Sequence, residues 1–137
     1  MATDPRDARR TTEDLPFKPA GPGPARYAAT TGRPVRYLAV GDGTGTILGY
    51  LWVADGEEAA GFVRRPAAGD DGGNEAVAWS AELRDAKSRG VPAAGLLAEF
   101  ARAELPIAQN ARHLGAVIPG SEARADDLDD LKHLAAR

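Results

Sequence analysis

The stretch TILGYLWVA, Thr46 to Ala54, decides the fold. In an extended strand successive side chains point to opposite faces. The predicted faces carry, on one side, Leu48, Tyr50 and Trp52 and, on the other, Ile47, Leu51 and Val53. Both faces are apolar, whereas a strand with one wet face alternates apolar and polar residues. Its β-branched and aromatic residues favour a strand over a short buried helix. We therefore predict the central strand of a sheet that is covered on both faces.

The flanking segments predict a three-stranded antiparallel meander around this strand. VRYLAV, residues 35–40, has a strand-like pattern, and the glycine-rich GDGTG after it predicts a hairpin loop with a bulge. On the other side, Asp55-Gly56 is typical of a two-residue type I′ turn. EEAAGFVRR, residues 57–65, follows as the third strand, at the edge, where its charged ends discourage pairing with other chains.

Two consecutive helices are predicted after a loop at residues 66–73. Asn74 is the predicted N-cap of the first helix, with Glu75 in its first turn, and Gly90 ends it. Pro92 suits the first turn of the second helix, PAAGLLAEFARAEL. The two apolar stripes are Ala76, Trp79, Leu83 and Ala86, and Ala93, Leu96, Leu97, Phe100 and Ala101. EAVAW, inside the first helix, is also compatible with a short fourth strand.

The end of the chain has a weaker pattern. Residues 107–120 are compatible with a short helix to His113 and a short strand from Gly115 to Ile118, or with irregular packing. Residues 121–137, SEARADDLDDLKHLAAR, predict a terminal helix whose leucines recur every three residues. Because this apolar stripe is narrow, we expect the helix to dock weakly or to pair with a copy of itself.

Residues 1–34 hold six of the ten prolines and few apolar residues. Proline has no N–H to donate and restricts the residue before it, so these residues are predicted to be a disordered arm rich in Pro and Gly. Residues 35–137 are predicted to form a single α+β domain. Its expected architecture is an antiparallel three- to four-stranded β-meander packed against two consecutive helices, with a C-terminal helix.

Composition excludes several classes of chemistry. The chain has no cysteine, which rules out disulfides and thiolate catalysis. A formal net charge of −3 gives no general electrostatic case for a nucleic-acid binder. No apolar run approaches the roughly 20 residues that span a bilayer. We expect a soluble, cytoplasmic protein that does not bind membranes. Nucleic acid is not an expected partner either.

No motif predicts a catalytic residue, a cofactor or a metal site. The loop at residues 41–45 leads into a strand and lacks the phosphate-binding fingerprints, so a hairpin turn is favoured. The acidic run at residues 126–130 is interpreted as the solvated start of a helix rather than, with His133, a metal patch. His113 and His133 have no nucleophile context such as GxSxG nearby.

Aromatic residues are the remaining candidates for a site. Tyr50, Trp52, Trp79 and Phe100, with Phe62, are spaced as core residues are. If a small-ligand pocket lies between sheet and helices, these residues are predicted to line it, Tyr50 and Trp52 foremost.

A turn followed by ILGYLWV, with RGVPAAGLLAEF later in the chain, resembles the GNAT acyltransferase superfamily. That resemblance, over residues 37–101, implies a loop whose N–H groups hold the pyrophosphate of acetyl-CoA at a helix N-terminus. It implies that Arg89 is the first motif residue and Ala94 the last. Pro92 stands where the motif has a glycine, and a proline has no N–H to donate.

The leading functional expectation is a small non-enzymatic domain that acts by association with another protein or with itself, as a homodimer. It depends on amphipathic elements in surplus and on the lack of any nucleophile, metal or phosphate signature. The alternative is a domain that binds a small ligand or acyl-CoA, as a degenerate GNAT-like acyltransferase.

Overall fold

The computed structural model describes residues 26–102 and 115–137. The predicted α+β architecture is confirmed: an antiparallel sheet is combined with two consecutive helices and a C-terminal helix. A single 3₁₀ turn, Pro66–Ala68, precedes the first α-helix. The strands and helices are β1 Val35–Gly41, β2 Ile47–Ala54, β3 Ala60–Arg64, α1 Gly69–Ser88, α2 Ala93–Arg102, β4 Ala116–Val117, β5 Ala123–Ala125 and α3 Leu128–Ala135.

The sheet is built around β1 and β2. Its order is β3-β2-β1-β4, and β5 pairs with the opposite end of β1 from β4. β2 lies between β1 and β3, and seven of its eight residues are buried, so the predicted central strand covered on both faces is confirmed. β4 falls inside the short strand that was one alternative for residues 115–118. β5 was not predicted, because residues 123–125 were assigned to the terminal helix, and that assignment is wrong.

A β-bulge changes which side chains of β2 share a face. Val40 pairs with Gly49 and Gly41 with Ile47, so Leu48 is the extra residue. A bulge of this kind reverses the alternation of side chains beyond it. Ile47 therefore packs on the side of Tyr50, and its predicted place beside Leu51 is wrong.

The two hairpin loops differ in how well the sequence predicted them. In the first, the Asp42 carboxylate accepts hydrogen bonds from the N–H and the hydroxyl of Thr44, which hold the pKa of Asp42 below its usual value. In the second, Ala54 N–H donates to the Ala59 carbonyl, so the loop has four residues, Asp55 to Glu58. The predicted two-residue turn is wrong, although Gly56 does adopt a positive φ of 74°.

The first core lies between one face of the sheet and the helices α1 and α2. Trp79 and Phe100 meet edge to face there, with ring centroids 5.2 Å apart. Strands β1 and β2 contribute apolar side chains from the sheet. The predicted apolar stripes of both helices are buried except Ala76 and Ala101. The first core comprises Tyr27, Leu38, Val40, Leu51, Val53, Ala60, Trp79, Leu83, Ala86, Ala93, Leu96, Leu97 and Phe100.

Helix α1 begins five residues before the predicted N-cap. Its first residue is Gly69, the residue before it is Ala68, and the predicted loop 66–73 and Asn74 cap are wrong. Glycine is a poor helix former, but at Gly72 a Cβ would lie only 3.1 Å from the Arg65 carbonyl oxygen. A helix turn packed this closely on backbone favours glycine, which explains why propensity failed here.

The second core lies on the opposite face of the sheet, and α3 is the one helix of the described residues that covers it. Leu128 and Leu131 are buried there, and Leu134 packs at its margin. Asp127 caps the helix by accepting a hydrogen bond from the Asp130 N–H at 2.8 Å. The helix thus docks on its own sheet. The second core comprises Val35, Ala39, Tyr50, Trp52, Ala54, Ala59, Leu128, Leu131 and Ala135.

Residues 26–34, assigned by the sequence to the arm, are part of the packed structure. Tyr27 is buried in the first core, and its hydroxyl donates a hydrogen bond to the Val91 carbonyl. Ala28 forms a parallel bridge with Ala59. The predicted disorder of residues 1–25 lies outside the described residues. Among the helices in the described ranges, none has the length and apolar character needed to cross a membrane.

Candidate binding site at the sheet edge

A cavity of about 270 Å³ lies at the β3 edge of the sheet, where the first and second cores meet. Gly61, in the middle of β3, lines the cavity, and the indole ring of Trp52 lies against it, 2.9 to 3.0 Å from the position that a Cβ would take. Phe62 and Leu83 reach it from the side of α1, and Trp52 and Leu128 from the side of α3. Its walls are therefore mainly apolar and belong to both faces of the sheet.

The backbone of β3 is only partly paired at this edge. Because Ala54 and Ala59 form a hydrogen-bonded pair, the register turns the N–H and C=O groups of every second residue of β3 away from β2. The first outward N–H, at Ala60, donates to the Ala28 carbonyl at 3.1 Å. Further along β3, the outward groups of Phe62 and Arg64 have no hydrogen-bond partner within residues 26–102 and 115–137.

Three cations border the cavity, and its lining includes no acidic side chain from the described residues. They are Arg26, Arg84 on α1 and Lys132 on α3. In the part of the chain that the structure describes, none of these three makes an ion pair. Elsewhere, by contrast, Arg89 and Lys87 pair with carboxylates. Uncompensated charges of one sign around a low-dielectric cavity produce a positive potential that attracts anions.

Trp52 adds a buried hydrogen-bond donor to the cavity wall. The residue is only 2% exposed, and its indole N–H has no acceptor among the described residues. The nitrogen lies beside Gly61, 2.9 Å from the position that a Cβ would take there. A buried donor left unpaired costs about 1–3 kcal/mol. The equivalent group of Trp79 is satisfied, since it donates to Glu75 Oε1 at 3.1 Å.

The four aromatic residues proposed from the sequence do not line one pocket. Trp79 and Phe100 lie in the first core, and Tyr50 and Trp52 in the second core across the sheet. Trp52 lines the cavity at the β3 edge. Tyr50 lines a separate, more open cavity of about 330 Å³ near the C-terminal Arg137. A ligand-binding role for any of them stays a prediction.

Sequence reasoning missed the three cations of the site. Arg26, Arg84 and Lys132 come from three distant segments, and each looks like an ordinary solvated charge in its own segment. Nothing in their local spacing links them. Sequence reasoning also misplaced Glu75, which was expected in the first turn of a helix; it is fully buried in α1, bonded to Trp79.

The segment that resembles an acyltransferase motif has a different arrangement. A helix, α1, precedes it, and Arg89 is paired with Asp85 and Glu99, which raise the pKa of its guanidinium. The N–H of Ala93, at the start of α2, donates to both Glu58 carboxylate oxygens at 3.2 Å. A carboxylate thus stands where the resemblance implies a pyrophosphate, and two anions at one helix terminus repel each other.

The remaining polar candidates are the acidic run at residues 126–130 and the two histidines. Within the described ranges, no cluster of three carboxylate or imidazole side chains is placed to hold a metal ion. Asp127 of the acidic run is the N-cap of α3, and His113 lies outside the described residues.

Comparison of the chain with family models finds no match, and comparisons with curated proteins and with solved structures also find none. What can be said about function therefore depends on the geometry of the site.

Proposed function

We propose that this chain is a non-enzymatic binding domain that pairs with an extended segment of another protein along the edge of β3. The observation that carries the proposal is the row of outward backbone groups at Phe62 and Arg64. They continue the line in which Ala28 already pairs with β3. An exposed strand edge is a template for an added strand, because its N–H and C=O groups need partners.

The surroundings of this edge also suit a bound segment. Gly61 to Val63 are half-buried, and Arg64 is exposed. In strand addition the main-chain hydrogen bonds give affinity, while pockets for alternate side chains give specificity. The cavity beside Gly61 supplies one such pocket. Its 270 Å³ is below the roughly 300–1,000 Å³ of small-molecule sites, so a single side chain fits it better than a whole cofactor.

Of the two kinds of association expected from the sequence, association with a second protein is favoured over self-association. Two copies that met along β3 would bring Arg64, Arg84 and Lys132 of each copy together. Like charges in contact oppose association. The edge is therefore suited to a partner of different charge. We further propose that this association takes place in the cytoplasm.

The test uses two variants of one exposed residue. Arg64→Pro removes an outward N–H that takes no part in pairing with β2, and proline is tolerated on edge strands. Arg64→Ala removes the same charge but keeps the N–H, and is the matched control. The probe is a ten-residue peptide of alternating threonine and valine with a central glutamine, and binding is followed by backbone NMR of the full chain.

We expect the peptide to slow hydrogen exchange at the Phe62 and Arg64 amides of the unmodified chain. Arg64→Pro should weaken binding at least tenfold, and Arg64→Ala less than threefold. Equal affinity of the two variants, or no protection of β3 in the unmodified chain, contradicts the proposal. A dimer that forms with concentration and is lost in Arg64→Pro would assign the edge to a second copy and likewise overturn it.

A further inference from the structure

We infer that the segment bound at the β3 edge is acidic and that one of its carboxylates enters the cavity between α1 and α3. This inference rests on the proposed function and names the chemistry of the partner. The structure offers three independent features for such a group: cations that make no ion pair and an indole N–H that has no acceptor within residues 26–102 and 115–137, and the apolar walls.

The cations are placed to attract the carboxylate from both sides of the edge. Arg84 projects from α1, Lys132 from α3 and Arg26 from the segment leading to Tyr27, and all three line the same 270 Å³ cavity. A lysine or arginine side chain of the partner would be repelled there. A neutral side chain would leave all three charges uncompensated.

The indole N–H of Trp52 indicates whether the anion stays at the rim of the cavity or enters it. Its N–H is a donor without an acceptor in the described part of the chain, in a residue that is 2% exposed. Hydrogen bonds from a neutral donor to a charged acceptor are stronger than those between neutral groups. A carboxylate oxygen beside Gly61 would accept from this donor while the cations neutralise the charge. The indole group therefore favours a carboxylate that passes the rim.

The chemical requirement for a carboxylate is tested with two peptides that differ in one group. One is the threonine–valine peptide with a central glutamate, and the other is the same peptide with glutamine. At 50 mM salt we expect the glutamate peptide to bind the full chain at least tenfold more tightly. The difference should shrink as salt is raised, because added ions screen partly exposed charges.

Variants locate the effect. The double variant Arg84→Gln with Lys132→Gln should remove most of the preference for the glutamate peptide over the glutamine peptide. Arg102→Gln, an exposed arginine on α2 that does not line the cavity, is the control and should keep the preference. Trp52→Phe keeps an aromatic ring but removes the N–H, and should reduce the preference about threefold or more.

The outcomes separate this inference from the proposal on which it rests. If both peptides bind with equal affinity, strand addition holds and the acidic segment is wrong. If neither peptide binds, the proposed function fails, and this inference with it. If Arg102→Gln weakens the preference as much as the cavity variants do, the attraction is general and the cavity is not the site. Propionate that binds as tightly as the glutamate peptide would assign the cavity to a small acid and overturn the inference.

Discussion

The two faces of the sheet are covered in different ways. Helices α1 and α2, with 20 and 10 residues, cover the first core, whereas α3, with eight residues, is the α-helix that covers the second. A helix as short as α3 is not stable by itself in water, so it depends on burial of Leu128 and Leu131 against the strands.

The comparison teaches where this fold leaves room for binding. A fully buried carboxylate, Glu75, is bonded to Trp79 of the first core. The second core contains a tryptophan, Trp52, whose N–H finds no acceptor among the described residues. The cavity is lined by Gly61, by residues of α1 from one face of the sheet and by residues of α3 from the other.

The largest expected effect breaks the first core. Phe100→Ala removes a ring that is 5% exposed and packed on Trp79, and should lower the free energy of unfolding by about 3–5 kcal/mol. Val77→Ala truncates a valine on α1 that is 61% exposed and should change it by no more than about 0.5 kcal/mol. Chemical denaturation measures both, and similar losses would mean that the first core is misassigned.

A change in the second core should act more locally. Leu131→Ala removes a fully buried side chain of α3 and should cost about 2–5 kcal/mol. Because α3 is short, we expect its amides to lose hydrogen-exchange protection before those of α1 do. Leu134→Ala, at the margin of the same core, is the control and should cost less. Simultaneous loss of hydrogen-exchange protection in α1 and α3 would show that α3 does not unfold more easily than α1.

The smallest expected effect is a pH dependence of folding stability that comes from Tyr27 in the first core. Burial, helped by Glu58 and Glu99, raises the pKa of Tyr27 in the first core. The folded state therefore favours the neutral phenol, so this stabilisation is complete below the ordinary value of about 10 and is lost as pH rises through the folded value.

Tyr27→Phe is the variant that isolates this term. At pH 7 it removes the hydrogen bond to the Val91 carbonyl and should lower the free energy of unfolding by about 1 kcal/mol. Above pH 10 the difference between the two chains should narrow, as measured by urea unfolding at several pH values. A constant difference across this range would contradict the assignment.

Local pattern predicted the elements well where a single periodicity dominated. The meander around Tyr50 and the stripe of α2 follow from strand and helix spacing. The pattern failed where packing outweighed propensity. An example is Gly72 of α1, which closely approaches the Arg65 carbonyl. It failed again at residues 123–125, whose pairing with β1 is a contact between distant segments.

The candidate site shows the same division more sharply. The sequence singled out Trp52 as an aromatic residue of a central strand, and nothing in it predicted that its N–H would lack a partner in the described structure. Arg26, Arg84 and Lys132 lie far apart in the chain and share a cavity only after the sheet and helices have packed.

The sequence by itself determined the α+β class, the central place of β2 and the apolar stripe of α2, because hydrophobic periodicity is a local property that sets which face is buried. Only the tertiary structure decided which helices pack on which face of the sheet, where β5 pairs and how three separate cations surround one cavity. Those features depend on contacts between residues distant in sequence, and the free energy of such contacts leaves no periodic signal in the chain.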